Sequence, residues 1–230
     1  MKRLFLILII IMSQNFVFGQ QVDRHEVKSY KYFYQLGNGV FYSANEYGAP
    51  KIFGSQYLNK FFSDVMVAEV TAKMRYNVYK DEFEFITPKN DTLILDKKEK
   101  YASLEFIATK TKYLLTNYAD SEGKINFGYL INIHEKGNFG LFKKDNILIQ
   151  EEKIAKTTLE ANMPAKYYNA SSTYFLKNDK NFIKFPESKK QLVKIFPDKK
   201  EMIEKFLKEN KIDFDITEEK IKIIDFLTTL

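Results

Sequence analysis

The sequence predicts an α+β protein. An antiparallel β-sheet body, a sandwich or a partly open barrel-like layer, is expected over about 20–186, with a C-terminal two- to three-helix unit over 187–230. Three observations predict it. Apolar and polar residues alternate with a period of two over much of Val65 to Ile149. The breaks between those runs are short turns with no helix-length segment between them, which favours antiparallel pairing. After Pro186 the apolar spacing lengthens to that of a helix, with cap-type residues before the helical runs.

The chain opens on Met1-Lys2-Arg3, a short basic start, and continues as an apolar run from Leu4 to Met12. Val17-Phe18-Gly19 follows with residues that a signal peptidase tolerates. Residues 1–19 therefore read as a secretory signal whose apolar core is too short to span a bilayer, cleaved near Gly19/Gln20. Residues 20–64 are irregular and aromatic. Tyr30, Tyr32, Phe33 and Tyr34 precede Gly37-Asn38-Gly39, which reads as a hairpin turn.

Strand signals then follow in series. Val65, Val67, Val70, Met74, Tyr76 and Val78 suggest strands broken by a small irregularity. Phe83 and Phe85 alternate with Glu82 and Glu84, a strand with one wet face. Pro88 to Asp91 is a turn, and Thr92 to Leu95, Tyr101 to Ala108 and Tyr113 to Tyr118 continue the pattern. Phe127 to His134 and Phe139 to Ile149 flank Lys136-Gly137-Asn138, the clearest hairpin. Residues 150–172 lose the rhythm and read as a connection. Tyr174 to Leu176 and Phe182 to Phe185 make a last hairpin. In the tail, Ser188 is expected to cap a helix ended by Pro197. Asp198 and Glu201 resemble a capping box for a helix to Asn210, with Met202, Ile203, Phe206 and Leu207 on one face. Thr217 is expected to cap the last helix.

Composition narrows the chemistry. The 230 residues are 45% apolar, enough for a sizeable core. There is no cysteine, so there is no thiolate nucleophile, no thiolate metal site and no lipid-anchored cysteine at the cleavage point. The address expected is the periplasm or the extracellular space, and not that of a lipoprotein. No later segment has the length of a spanning helix. The formal charge is +6, of which Lys2 and Arg3 contribute two. Lysines are spread among acids, and the densest groups are Lys97-Lys98, Lys189-Lys190 and Lys199-Lys200. That is a solvated surface rather than a nucleic-acid footprint, so no nucleic-acid partner is expected.

The motifs that carry catalysis or metal binding are missing. His25 and His134 stand apart, with no HExxH. Ser121-Glu122-Gly123-Lys124 matches SxxK only in spacing, because it falls in a turn between strands. Asp81, Glu82 and Glu84 form the densest acidic cluster in the sheet region. Paired carboxylates serve glycosidic acid–base chemistry, yet the alternation with Phe83 and Phe85 needs only a strand with one wet face. No metal and no cofactor are expected.

One stretch carries a resemblance. Arg75-Tyr76-Asn77-Val78-Tyr79-Lys80-Asp81-Glu82-Phe83-Glu84 resembles the RYNxYxDExE-like core of an uncharacterised family of exported Bacteroidota proteins. Gly54-Ser55-Gln56-Tyr57-Leu58-Asn59 is similar to the segment that leads into that core, with Gln56 where proline is common. The resemblance implies a cell-envelope address and no activity. Arg75, Asn77, Asp81 and Glu84 are the candidate binding residues, and equally a polar network that fixes a tight strand turn, with Arg75 bridging one acid through two donors. The functional expectation is an exported, non-enzymatic binding or interaction module with an envelope protein, glycan or lipid as partner. The alternatives are a glycan or peptide hydrolase using Asp81, Glu82 or Glu84, and a lipid or glycan carrier with a dry cavity inside the sheet.

Overall fold

A computed structural model describes residues 52–157 and 159–230. The signal sequence expected over residues 1–19 and the turn expected at Gly37-Asn38-Gly39 lie outside the described residues. Within them the protein is an antiparallel-dominated sheet followed by three α-helices, the α+β architecture that the periodicity predicts.

The strands are β1 (Ser63–Val67), β2 (Val70–Asn77), β3 (Glu82–Ile86), β4 (Thr92–Ile94), β5 (Ser103–Phe106), β6 (Thr111–Ala119), β7 (Ile125–Lys136), β8 (Phe139–Gln150), β9 (Lys166–Asn178) and β10 (Asn181–Lys184). The irregularity inside the first apolar run is a two-residue hairpin turn. Ala68 and Glu69 both take positive φ, 47° and 65°, as the right-handed twist of a tight hairpin demands. The connection between β8 and β9 is shorter than the sequence suggests. Strand β9 begins at Lys166, because Tyr167, Asn169 and Ala170 pair with Ile149, Ile147 and Asn146 despite their polar neighbours. Cross-strand pairing overrides a weak local pattern here.

The strand order is β10-β9-β8-β7-β6-β5-β1-β2-β3-β4, and β10 also pairs in parallel with β6 through Ile183 and Ala119. That second pairing closes β6, β7, β8, β9 and β10 into a five-stranded ring. The alternation of side chains then sets three apolar layers. Leu114, Tyr118, Leu130, Phe142, Phe175 and Phe182 cluster together, with Phe142 edge-on to Phe182 at 4.9 Å. Their alternate neighbours Tyr113, Leu115 and Tyr129 pack with Val65, Met74, Tyr76, Phe83 and Phe85 of the strands that run off β6. Farther along the ring, Leu141 and Leu176 pack under the helices.

The helices are α1 (Lys189–Ile195), α2 (Lys200–Asn210) and α3 (Thr217–Leu227). Leu192, Ile203, Leu207, Ile223, Ile224 and Leu227 join the layer of Leu141 and Leu176, so the tail is docked on the sheet. Ser188 caps α1, accepting from the Gln191 amide at 3.4 Å. The other two expected caps are corrected. Asp198 lies in a 3-10 turn over Pro197–Lys199, and Lys199 precedes α2 with no side-chain cap. Thr217 is the first helical residue of α3, and its hydroxyl meets Tyr174 at 2.7 Å instead. Met202, expected on the apolar face, is 51% exposed.

Candidate functional site

The four candidate residues sit on the β2–β3 hairpin, but they belong to two networks on opposite faces. The register places Arg75 directly opposite Glu84 and Asn77 opposite Glu82. Residues 75 and 77 share the face away from Tyr76, so Arg75, Asn77 and Glu84 meet outside the core.

That outer network clamps residues 53–62, which cross the hairpin as a strap. Both Arg75 Nε (2.8 Å) and Nη2 (2.6 Å) reach the same oxygen, Oε2 of Glu84. Glu84 Oε1 accepts from the Tyr57 hydroxyl at 2.7 Å and from Asn77 Nδ2 at 3.2 Å. The guanidinium lies between two rings of the strap, 4.2 Å from the Tyr57 centroid and 4.4 Å from that of Phe62. Its Nη1 donates to the Lys60 carbonyl at 3.2 Å. Asn77 Nδ2 also donates to Gln56 Oε1 at 2.9 Å, and the Gln56 carbonyl accepts from the amides of Val78 and Tyr79. Asn77 is 1% exposed and Glu84 9%, so the strap seals them from water. Burial, reinforced by Glu84, holds the Tyr57 hydroxyl protonated well above the usual phenol range. The strap enters beside β9, where Phe53 pairs with Lys166. Gly54 has φ +83°, and a Cβ there would stand 2.6 Å from the Tyr167 carbonyl oxygen, so only glycine fits.

Asp81 turns the other way. It sits at the hairpin tip with φ +58° and projects toward β7 and β8. Its Oδ1 accepts from the Tyr76 hydroxyl, from Lys144 Nζ at 2.8 Å and from the Tyr129 amide at 3.2 Å. Its Oδ2 accepts from Lys97 Nζ at 2.9 Å. Gly128 makes the approach possible, since a Cβ there would lie 2.1 Å from Oδ2. Burial and the Asp81 charge raise the Tyr76 hydroxyl well above its ordinary value. Asp81 thus fastens the hairpin to the ring.

Glu82 differs from both. Burial raises its proton affinity, and its Oε2 has no hydrogen-bond partner among the described residues. Glu82 and Glu84 lie two residues apart on one face of β3. Asp81 is held by two lysines, Glu84 by arginine, and these two face opposite ways.

The remaining motifs resolve simply. His134 Nε2 meets Asp225 Oδ1 of α3 at 3.0 Å, and Lys136 reaches the same oxygen at 3.2 Å. These two, His134 first, hold the Asp225 carboxyl below the ordinary aspartate value. His25 lies outside the described residues. Ser121 and Lys124 lie in the β6–β7 turn, where Asp120 Oδ1 accepts from the amides of Glu122 and Lys124. Among the described residues no group of three histidine, aspartate or glutamate side chains is placed to hold a metal ion. None of their helices is long and apolar enough to cross a membrane. Sequence reading missed Tyr57, Tyr76, Lys97, Gly128 and Lys144 as members of these networks. Tyr76 lies five residues from Asp81 on the same hairpin, whereas nothing local marks the other four, which only the fold joins to Asp81 or Glu84.

No protein-family model matches the chain, and no curated protein or solved structure matches it.

Proposed function

We propose that this is an exported, non-enzymatic protein of the cell envelope that works as a binding or interaction module. The observation that carries the reading is how the polar residues are used. Arg75, Asn77, Asp81 and Glu84 are all engaged in bonds that tie the strap and the ring to one hairpin, which leaves no free acid–base pair among them. The apolar cluster that Phe142, Phe175 and Phe182 build in the ring argues against a carrier cavity there.

An interaction role draws support from the β8–β9 hairpin. Leu148 and Tyr168 face each other across it and are 47% and 43% exposed. Beyond them Lys153 and Met163 exchange two backbone hydrogen bonds, and the connection presents Ile154 and Leu159 to solvent. Exposed apolar side chains gathered on one element are a usual mark of a protein contact. The export reading rests on the basic start and the apolar run of the first nineteen residues, and on the likeness of the Arg75 to Glu84 stretch to exported proteins.

Two measurements test this. Amino-terminal sequencing of the protein recovered from the envelope or medium should begin at Gln20. A panel of glycan and peptide substrates should give no turnover. Robust turnover abolished by Glu82→Gln, with the fold intact, would overturn the non-enzymatic reading in favour of the hydrolase.

A further inference from the structure

Lys189-Lys190 and Lys199-Lys200 are ten residues apart in sequence and look like two separate basic doublets. The fold brings Lys189, Lys190 and Lys200 to one groove, whereas Lys199 donates to the Leu230 carbonyl at 3.3 Å. Pro197 stops α1, the 3-10 turn redirects the chain, and α2 starts at Lys200 and carries Glu204 to Lys189 in the first turn of α1. Between the two helices lies an open groove of about 440 Å3, lined by Ser188, Lys189, Lys190, Val193, Lys200 and Glu204. Its charge is unbalanced. Lys189 reaches Glu204 at 3.5 Å, whereas Lys190 and Lys200 are exposed and form no ion pair among the described residues. Its walls are largely apolar, built from Val193 and lysine stems.

We propose that this groove docks an acidic peptide segment in which an apolar side chain is flanked by carboxylates. The inference rests on the interaction-module reading and names the chemistry of one partner. Charge complementarity carries it, because two unpaired ammonium groups border an apolar strip of a size that holds a few side chains. The open shape suits a chain that passes through. A flat anionic membrane would meet the lysine heads and leave the Val193 strip unfilled.

The probe is a fluorescein-labelled peptide of alternating glutamate and leucine, titrated with the protein and read by fluorescence anisotropy. Saturable binding that weakens with salt is expected, with a loss of about tenfold or more in the Lys190→Glu/Lys200→Glu variant. A charge-matched control, Lys205→Glu/Lys208→Glu on the exposed side of α2, should leave the affinity unchanged. All four lysines are exposed, so both variants should keep the wild-type circular dichroism spectrum and melting curve. The proposal falls if the wild type does not saturate, or if both variants lose affinity equally. It also falls if phosphatidylglycerol vesicles bind with the same dependence on Lys190 and Lys200. Any of these leaves the interaction-module reading to its own test, the substrate panel.

Discussion

Replacing Asp81 by asparagine tests the inner network most directly. The substitution keeps the shape and an oxygen that can accept from Tyr76 and the Tyr129 amide, and removes the charge that faces Lys97 and Lys144. The side chains of Asp81, Lys144 and Lys97 are 18%, 17% and 28% exposed. Exposed pairs contribute about 0–1 kcal/mol, whereas removing one partner of a fully buried pair costs about 3–5 kcal/mol. This site lies between those limits, which gives a loss of about 2 kcal/mol. For a domain of this size that corresponds to a fall in Tm of about 4–8 °C. Urea denaturation followed by circular dichroism should show a lower midpoint and an unchanged slope. Adding Lys144→Met should recover part of the loss, because it removes one of the two lysines left without a counter-charge. A loss below about 0.5 kcal/mol would show that the lysines solvate freely, and would refute the idea that this carboxylate fastens the hairpin to the ring.

Four further outcomes are expected. Gly128→Ala should destabilise the protein, because its Cβ would displace Asp81 from its two lysines, and should cost far less in an Asp81→Gly background; additive urea midpoints would sink the coupling. Arg75→Lys should cost about 1–2 kcal/mol and loosen the strap, since lysine can neither stack between Tyr57 and Phe62 nor direct two donors at Glu84; limited proteolysis near residues 55–62 reads the loosening. Burial raises the Tyr118 hydroxyl to about 12, and raises those of Tyr57, Tyr76, Tyr113 and Tyr129 as well. A raised value means a proton held more tightly when folded, so this stability is complete below the ordinary phenol value of 10.0 and lost as pH rises beyond it; the urea midpoint should fall there, and tyrosine absorbance should show delayed ionisation until the protein unfolds. Asp225 has a lowered value, so its contribution is present above the ordinary carboxylate range and lost as pH falls through the lowered one; Asp225→Asn should flatten the acid limb of the stability profile, and an unchanged limb would dismiss the His134 and Lys136 contacts.

Much of the sheet was legible because its cause is local. Phe83 and Phe85 alternate with Glu82 and Glu84, and a strand with one buried face follows from that spacing. The Lys136-Gly137-Asn138 turn was equally readable, since Gly137 supplies the positive φ. What escaped depends on distant partners. Strand β9 starts at Lys166 because β8 lies beside it, and Tyr167-Tyr168-Asn169 shows no alternation of its own. Ring closure hangs on one parallel pairing between Ile183 and Ala119, which no pattern announces. The candidate site was half visible for the same reason. Arg75 and Glu84 are neighbours across a hairpin and could be paired from sequence, whereas Lys97 and Lys144 look like any surface lysine until the fold carries them to Asp81. The misassigned caps show the reverse effect: Asp198 and Thr217 have the right chemistry, but Pro197 starts a 3-10 turn and Tyr174 claims the Thr217 hydroxyl.

The two networks also explain why so many charged groups crowd one hairpin in a chain without cysteine. A strap and a hairpin tip are poorly held by apolar burial alone, since each presents little surface to a core. Disulfides fix such segments in many exported proteins. Here Glu84 joins residues 57, 75 and 77, and Asp81 joins 76, 97, 129 and 144, so two carboxylates span the region from the strap to β8. A carboxylate is suited to this because it accepts several bonds at once, and each bond from a charged donor is stronger than a neutral one. The cost is that removing either acid strands several donors together rather than one. The tie is therefore cooperative, and the strap and the hairpin should loosen as one unit while the helices, packed on Leu141 and Leu176, stay in place.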